Sequence, residues 1–95
     1  MNYNNQPKWK DQESVDTLVK EAAPHVIILH NDDFNTFDYV IDCLIEICEH
    51  TLEQAQQCTF LVHYKGKCEV KTGSLEKLTP INQALLKKGL SSQIV

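Results

Sequence analysis

Three consecutive polar residues, Asn31, Asp32 and Asp33, separate two apolar segments of the chain. They follow the run HVIIL at residues 25–29, and the apolar pattern resumes at Phe37. Carboxylate and amide oxygens can hold a cation, exchange protons in a hydrolase, accept hydrogen bonds from a ligand, or close a turn and cap a helix. The neighbouring residues decide among these roles.

A calcium loop is excluded by one position. Asn31, Asp33, Asn35 and Asp42 would stand at loop positions 1, 3, 5 and 12, where oxygen ligands are expected. Position 6 needs glycine for its sharp turn, and Thr36 stands there. No calcium site is therefore predicted.

An acid–base pair is also disfavoured. Asp32 and Asp33 are adjacent, and neighbouring side chains on an extended backbone point to opposite sides, so they do not converge on one substrate atom. If one carboxylate caps the following helix, the other faces away and is free to bind a ligand. A purely structural turn and a binding turn both remain open.

His63 lies just before Gly66, near the predicted end of a helix. In that position a histidine commonly complements the helix dipole or packs on a neighbour. A pair formed by His63 and Cys68 has no orienting third residue, and the three glycines do not form a phosphate-binding loop. No catalytic residue is predicted.

Composition restricts the partners. A chain of 95 residues with 42% hydrophobic residues builds one small core. The net charge is -4 and all nine basic residues are lysines, so the guanidinium group that grips phosphates and guanine is missing. No apolar stretch is long enough for a membrane span, and residues 1–22 are too polar for a secretory signal. We expect a cytoplasmic protein that binds neither nucleic acid nor membrane.

The four cysteines do not have the spacing of a zinc site, because no Cys-x2-Cys or His-x3-His pattern occurs. Cys43, Cys48 and Cys58 fall at apolar positions of helical patterns, where a thiol behaves as a small hydrophobe. The sequence predicts buried thiols at these positions and no metal.

The polar composition of residues 1–10 and the thin apolar stripe of residues 11–23 predict a flexible extension over residues 1–23. Apolar periodicity predicts one domain over 24–95. The domain begins with a strand at 25–29. A first helix follows, with Asn35 or Thr36 as its cap. Its apolar stripe is Phe37, Val40, Ile41, Leu44, Ile45 and Cys48.

A second helix opens with a capping box, Thr51 and Gln54, and ends before Gly66. Its stripe is Leu52, Ala55, Cys58, Thr59 and Val62. A strand over 67–71, a short turn capped by Ser74, a third helix starting at Thr79 and Pro80, and a terminal strand complete the chain. The predicted fold is α+β, in the order β-α-α-β-α-β, with a three-stranded sheet packed against helices.

Two segments together carry a resemblance to a known family. IILHNDDFNTFDYVIDCL and EQAQQCTFLVHYKGKC contain the signatures NDD and VHYxGK at the family's separation, and the match covers residues 25–72 well. The sequence resembles the ClpS family, small adaptors that deliver N-degron substrates to the Clp ATPase and protease. The resemblance implies the ClpS core fold, similar to the C-terminal domain of the ribosomal stalk protein, and no cofactor.

The resemblance implies that Asn31, Asp32 and His63 hold the free α-amino group of a substrate. An α-amino group has a reference pKa near 8, so it is mostly a cation at neutral pH, and these residues offer three acceptors to its three protons. The side chain of the first residue would enter an apolar pocket. By the same resemblance the pocket is lined by Leu29, His30, Asn35, Phe37, Val40, Thr59 and Val62.

Three positions depart from the family pattern. Phe37 and Thr59 stand where the family usually has methionine, and His30 replaces an aliphatic residue. These changes leave open the preference among Leu, Phe, Tyr and Trp at the substrate N-terminus. The residue of the last strand that closes the pocket is either Leu90 or absent.

The implied partners are N-degron peptides or proteins and the N-terminal domain of a Clp AAA+ ATPase. Docking of that domain is assigned to Tyr64, Lys65, Glu76 and Lys77. Residues 1–23 would be the arm that approaches the ATPase pore. Two alternatives remain. One is an interaction module of the same fold without N-terminus recognition. The other is a metal-dependent or acid–base hydrolase, which an ion between Asp32 and His63 would favour.

Overall fold

A computed structural model describes residues 24–95 of the chain. Within them, the elements are β1 (His25–His30), α1 (Phe37–Cys48), α2 (Leu52–Lys65), β2 (Lys67–Gly73), α3 (Leu75–Lys87) and β3 (Ser91–Ile94). The predicted α+β class and the order β-α-α-β-α-β are confirmed. The predicted extension over residues 1–23 lies outside the described residues.

The central strand of the sheet is β1. It pairs antiparallel with β2 on one side and with β3 on the other. Ile27 and Leu29 are fully buried, while the residues between and beside them are only half-buried, as expected for a strand with one face on a core. At the end of β1, His30 pairs with Lys67 and with Ser91, the first residues of β2 and β3. The end of β1 therefore lies beside the starts of both neighbours.

The helices cover the buried face of the sheet. The core is formed by Ile27, Leu29, Val40, Cys43, Leu44, Cys48, Ala55, Val62, Val70, Leu78, Leu85 and Leu90. The predicted stripes are only partly buried, since Phe37, Ile45 and Leu52 remain exposed. Phe37 and Leu52 are the first residues of α1 and α2, where each helix reaches the edge of the domain.

Local hydrogen bonds determine where α1 and α2 begin and end. Thr36 caps α1 by accepting a hydrogen bond from the Tyr39 N–H at 3.2 Å, which decides between the two predicted caps. The predicted capping box of Thr51 and Gln54 opens α2. Gly66 ends α2 with a φ of 92°, a left-handed conformation that glycine adopts without steric cost.

The prediction of a short turn followed by a helix from Thr79 is wrong. A single helix, α3, runs from Leu75 to Lys87 with Pro80 inside it, although Ser74 caps it as expected. Proline has no N–H, so Pro80 costs the helix one backbone hydrogen bond. Packing of the buried Leu78 and Leu85 keeps α3 continuous despite this loss. The Thr79 hydroxyl donates to the Leu75 carbonyl at 2.7 Å and so bonds one carbonyl of the first turn.

The cysteines are all free thiols. Cys43 and Cys48 are buried as predicted, and burial raises the pKa of Cys48 to about 11. The prediction of burial is wrong for Cys58. It contacts Cys68 on β2, which is an edge strand of the sheet, so the side chain is only half-buried. No group of three or more potential metal ligands occurs in the described residues.

A helix that could span a membrane is not found within residues 24–95.

Two neighbouring leucines of α3 test the position of the core. Leu85 is fully buried, whereas Leu86 is 48% exposed. Replacement of Leu85 by alanine should lower the free energy of unfolding by about 2–5 kcal/mol, because it removes buried methyl groups and leaves a cavity. Leu86→Ala is the matched control and should cost less than about 1 kcal/mol. Urea denaturation measures both, and equal losses would contradict the assigned face of α3.

Candidate functional site

Three connections meet at one end of the sheet. The first is the segment after β1, which begins with Asn31. The second joins α2 to β2 through Gly66. The Asn31 N–H donates to the Gly66 carbonyl at 2.9 Å, so the segment after β1 is held against the end of α2, which carries His63. Leu90 belongs to the third connection, between α3 and β3. The pairing of β1 with both neighbours brings these connections together.

A cavity of about 40 Å³ lies where these connections meet. It is lined by Leu29, His30, Asn31, Asp32, Asn35, Thr36, Phe37, Val40, Thr59, Val62, His63 and Leu90. The structure thus brings together every residue that the resemblance implied for the amino group and the pocket. It also shows that Leu90, which the sequence left open, lines the cavity, and it adds Thr36, which was expected only as a cap.

Asp32 organises the turn after β1. Its Oδ1 accepts the backbone N–H groups of Phe34 at 2.8 Å and Asn35 at 2.7 Å, and its Oδ2 accepts Nδ2 of Asn35 at 2.9 Å. A carboxylate has about four acceptor positions, so these three bonds leave about one available. The carboxylate is therefore held in one orientation and can still accept a hydrogen bond from a ligand.

The hydrogen bonds to Asp32 also affect its ionisation. Burial acts to raise the pKa of Asp32, but the backbone and side-chain hydrogen bonds from Asn35, together with the backbone of Phe34, outweigh it. The pKa consequently lies below the ordinary value for an aspartate, and the side chain is ionised at neutral pH.

The cavity has a polar, exposed mouth and an apolar, buried interior. Asn31 and His63 are exposed, whereas the interior residues are buried: Leu29, Val40, Thr59, Val62 and Leu90. Phe37 is 41% exposed and packs edge-on against the His63 ring, with 5.3 Å between the ring centroids. Phe37 and His63 therefore form an aromatic rim between the mouth and the interior.

The cavity is small. Its volume is about 40 Å³, whereas pockets that hold drug-sized ligands usually have volumes of about 300–1,000 Å³. A leucine or aromatic side chain enters only if a residue at the mouth moves. Phe37 is suited to such a movement, because its side chain is partly exposed and its ring contact with His63 lies at the surface.

Two hydrogen bonds that sequence reasoning missed hold the third connection in place. The Tyr39 hydroxyl donates to the Lys88 carbonyl at 2.7 Å, and Nδ2 of Asn35 donates to the Gly89 carbonyl at 3.0 Å. These bonds fasten residues 88–89 to the start of α1 and so position Leu90 in the cavity. No sequence pattern announces them, because they join residues about 50 positions apart.

Comparison with known proteins identifies the family of this chain. The sequence model of the family described as "ATP-dependent Clp protease adaptor protein ClpS" matches residues 20–93. The chain belongs to the ClpS family. ClpS is a family of adaptors, so the prediction of a protein that is not an enzyme is confirmed.

Curated relatives in the ClpS family cover most of the chain. The ATP-dependent Clp protease adapter protein ClpS of Thermosynechococcus vestitus is 35% identical over 86 residues, which are 90% of this chain and 92% of the relative. The protein of the same name from Nostoc sp. strain PCC 7120 is also 35% identical, over 90% of this chain and 89% of the relative. The one from Salmonella gallinarum is 36% identical over 67% of this chain and 62% of its own length.

The residues assigned to ATPase docking by resemblance to ClpS proteins are all exposed. Tyr64 and Lys65 end α2, and Glu76 and Lys77 lie in the first turn of α3. Among the residues that the structure describes, no hydrogen bond or ion pair links the first two to the last two. Their grouping into one docking surface stays a prediction.

The hydrogen bonds of Asp32 in this ClpS-family protein can be tested by titration. Asn35→Ala removes the side-chain bond, so the pKa of Asp32 should rise toward its ordinary value. The carboxyl ¹³C shift of Asp32, followed by NMR from pH 2 to 7, measures the change. Asn82→Ala is the control, since the Asn82 side chain accepts from Ser92.

The sign of the stability effect follows from the lowered pKa. Asp32 stabilises the fold at pH values above about 3.9, the unfolded pKa, and this contribution is lost as the pH falls through the lower folded pKa. Asp32→Asn should therefore flatten the acid limb of the unfolding profile. An unchanged limb, or an unchanged Asp32 titration in Asn35→Ala, would refute the hydrogen-bond assignment.

Proposed function

We propose that this member of the ClpS family binds the free N-terminus of N-degron substrates whose first residue is bulky and hydrophobic. It delivers them to a Clp AAA+ ATPase for degradation by the Clp protease. The observation that supports this most is the composition of one cavity. Three hydrogen-bond acceptors, on Asn31, Asp32 and His63, stand at its exposed mouth, and apolar side chains form its interior.

The mouth suits an α-amino group. This group is mostly cationic at neutral pH and carries three N–H donors. Asp32 is ionised and has about one acceptor position left after its bonds to the turn, while the amide oxygen of Asn31 and an unprotonated ring nitrogen of His63 supply two more. A peptide bond inside a chain has one N–H and no charge, so it would leave the carboxylate without a counter-charge.

The interior suits the side chain of the first residue. Burial of apolar surface contributes about 25 cal/mol per Å², so a leucine or an aromatic side chain would contribute on the order of 2–5 kcal/mol. Ordering the peptide and moving the rim residue offset part of this gain. We therefore expect dissociation constants in the micromolar range.

The partner follows from the family. The relatives are named as adapters of the ATP-dependent Clp protease, and an adaptor needs a surface for the protease's ATPase in addition to its substrate site. We propose that the N-terminal domain of the ATPase docks on the exposed residues at the end of α2 and the start of α3. These are Tyr64, Lys65, Glu76 and Lys77.

Peptide binding tests the proposal. A fluorescent peptide with N-terminal Phe should bind in the micromolar range, and acetylation of its amino group should weaken binding at least tenfold. The reason is that charge-assisted hydrogen bonds contribute about 1.5–3 kcal/mol each and 1.4 kcal/mol is a factor of ten. Fluorescence anisotropy measures both affinities. Equal affinity for the free and acetylated peptides would rule out recognition of the N-terminus.

The adjacent aspartates provide a matched pair of variants. Asp32→Asn keeps the size and one acceptor oxygen but removes the charge, so it should weaken binding of the free peptide about 10- to 100-fold. Asp33 is exposed and does not line the cavity, so Asp33→Asn should bind the peptide like the wild type. A similar loss in both variants would indicate a general effect of acidic charge instead of a contact with the amino group.

The small volume of the cavity favours one alternative, because a cavity of this size does not admit a large side chain without a movement. The alternative is an interaction module of the same fold that binds a partner protein through its surface. Such a module would bind the ATPase domain but would not distinguish free from acetylated peptides. The double variant Glu76→Lys, Lys77→Glu should weaken binding of the ATPase domain both to an N-degron adaptor and to a plain interaction module. Under our proposal this double variant keeps its affinity for the Phe peptide, because both residues lie outside the cavity.

A further inference from the structure

One polar side chain is buried among the apolar walls of the cavity. Thr59 lies on α2, is 3% exposed, and lines the cavity beside Val40, Val62 and Leu90. Its hydroxyl oxygen is buried and has no hydrogen-bond partner among residues 24–95. A helical threonine often donates to a carbonyl in the preceding turn, but Thr59 does not make this bond.

An unpaired buried hydroxyl destabilises a protein, and most buried polar groups in native structures have a partner. Valine has nearly the same shape as threonine and no hydroxyl, so it would fill this position without that cost. None of the residues 24–95 that line the cavity supplies a partner. A ligand that enters the cavity can supply one.

Resting on the function proposed above, we propose that the Thr59 hydroxyl selects a first residue with a polar atom at the end of its ring. Tyrosine fits this requirement, since its phenol group both donates and accepts a hydrogen bond. Phenylalanine has the same ring and buries the hydroxyl of Thr59 without a partner. The pocket therefore prefers N-terminal tyrosine to phenylalanine.

Four affinities test this inference. Peptides that differ only by Tyr or Phe at residue one are titrated against the full-length wild type and against Thr59→Val. The wild type should bind the Tyr peptide about 5- to 30-fold more tightly than the Phe peptide, because one hydrogen bond is gained and one unpaired hydroxyl is avoided. Thr59→Val should lose this preference, and Thr59→Ser, which keeps the hydroxyl, should retain it.

Thr72→Val is the control, because Thr72 is exposed on β2 and lies outside the cavity; its preference should match that of the wild type. An equal Tyr-to-Phe ratio in wild type and Thr59→Val would overturn the inference, as would tighter binding of Phe by the wild type. If acetylation weakens binding of both peptides but the ratio does not change, only the role of Thr59 fails. If acetylation has no effect, the proposed function itself fails.

A separate observation concerns two thiols at the contact of α2 with β2. Cys58 directly precedes Thr59 on α2, and its Sγ lies 3.1 Å from Sγ of Cys68 on β2. Both thiols are half-buried and free, and both lie near the Glu69 carbonyl, at 3.7 and 3.4 Å. A disulfide has a sulfur–sulfur distance of about 2.05 Å, so a movement of about 1 Å would join them.

We infer that Cys58 and Cys68 form a reversible disulfide with each other. The oxidant is a small-molecule disulfide, such as oxidised glutathione, which reacts by thiol–disulfide exchange. Burial raises the pKa of Cys58 to about 12, so Cys58 is a poor first nucleophile. The Cys68 thiolate attacks the glutathione disulfide and releases one glutathione. Cys58 then loses its proton and attacks Cys68 Sγ, releasing the second. The protein loses two electrons and two protons, and the disulfide is reduced to two thiols.

Thiol counting and peptide mapping test the exchange. Incubation of the full chain with oxidised glutathione, followed by denaturation and alkylation, should leave two fewer free thiols and one linked peptide pair, Cys58 with Cys68. Cys43 and Cys48 are buried in the folded protein, so they should not react with oxidised glutathione and should be alkylated after denaturation. In Cys58→Ser, glutathione should remain attached to Cys68. An unchanged thiol count, a different pair, or dimers joined by disulfides would overturn the inference.

Discussion

The position of β1 between β2 and β3 is the constraint on which the site depends. Hydrogen bonds on both edges place the end of β1 next to the start of each neighbouring strand. The turn after β1, the end of α2 and the segment before β3 must therefore lie together. The burial of Ile27 and Leu29 stabilises this arrangement, because a slip of one residue would turn both away from the core.

Asp32 shows that a structural and a functional role need not exclude each other. Three of its acceptor positions hold the turn, which is the role expected of a simple cap. The same bonds lower its pKa and fix its direction, which keeps a charged acceptor available at neutral pH. A carboxylate that the protein already holds in place loses little conformational entropy when a ligand binds.

The residues that line the cavity differ in how firmly the fold holds them. Leu29, Val62 and Leu90 belong to the core as well as to the cavity wall, so they are constrained by packing. Phe37 and His63 lie at the surface, where their positions can change without disturbing the core. Thr59 is the one polar residue among the buried residues of the lining, and its hydroxyl has no hydrogen-bond partner within residues 24–95.

The sequence by itself determined the local structure. Periodic apolar residues, the capping box of Thr51 and the glycine at position 66 specify α1 and α2, because they act through neighbours within one or two turns. The paired NDD and VHYxGK signatures were enough to indicate the ClpS family. Only the tertiary structure decided that α3 continues through Pro80, that Cys58 contacts Cys68, and that Tyr39 fastens the segment before Leu90. These features depend on packing and hydrogen bonds between residues far apart in the chain, or on packing that outweighs a local preference, and no local pattern records either.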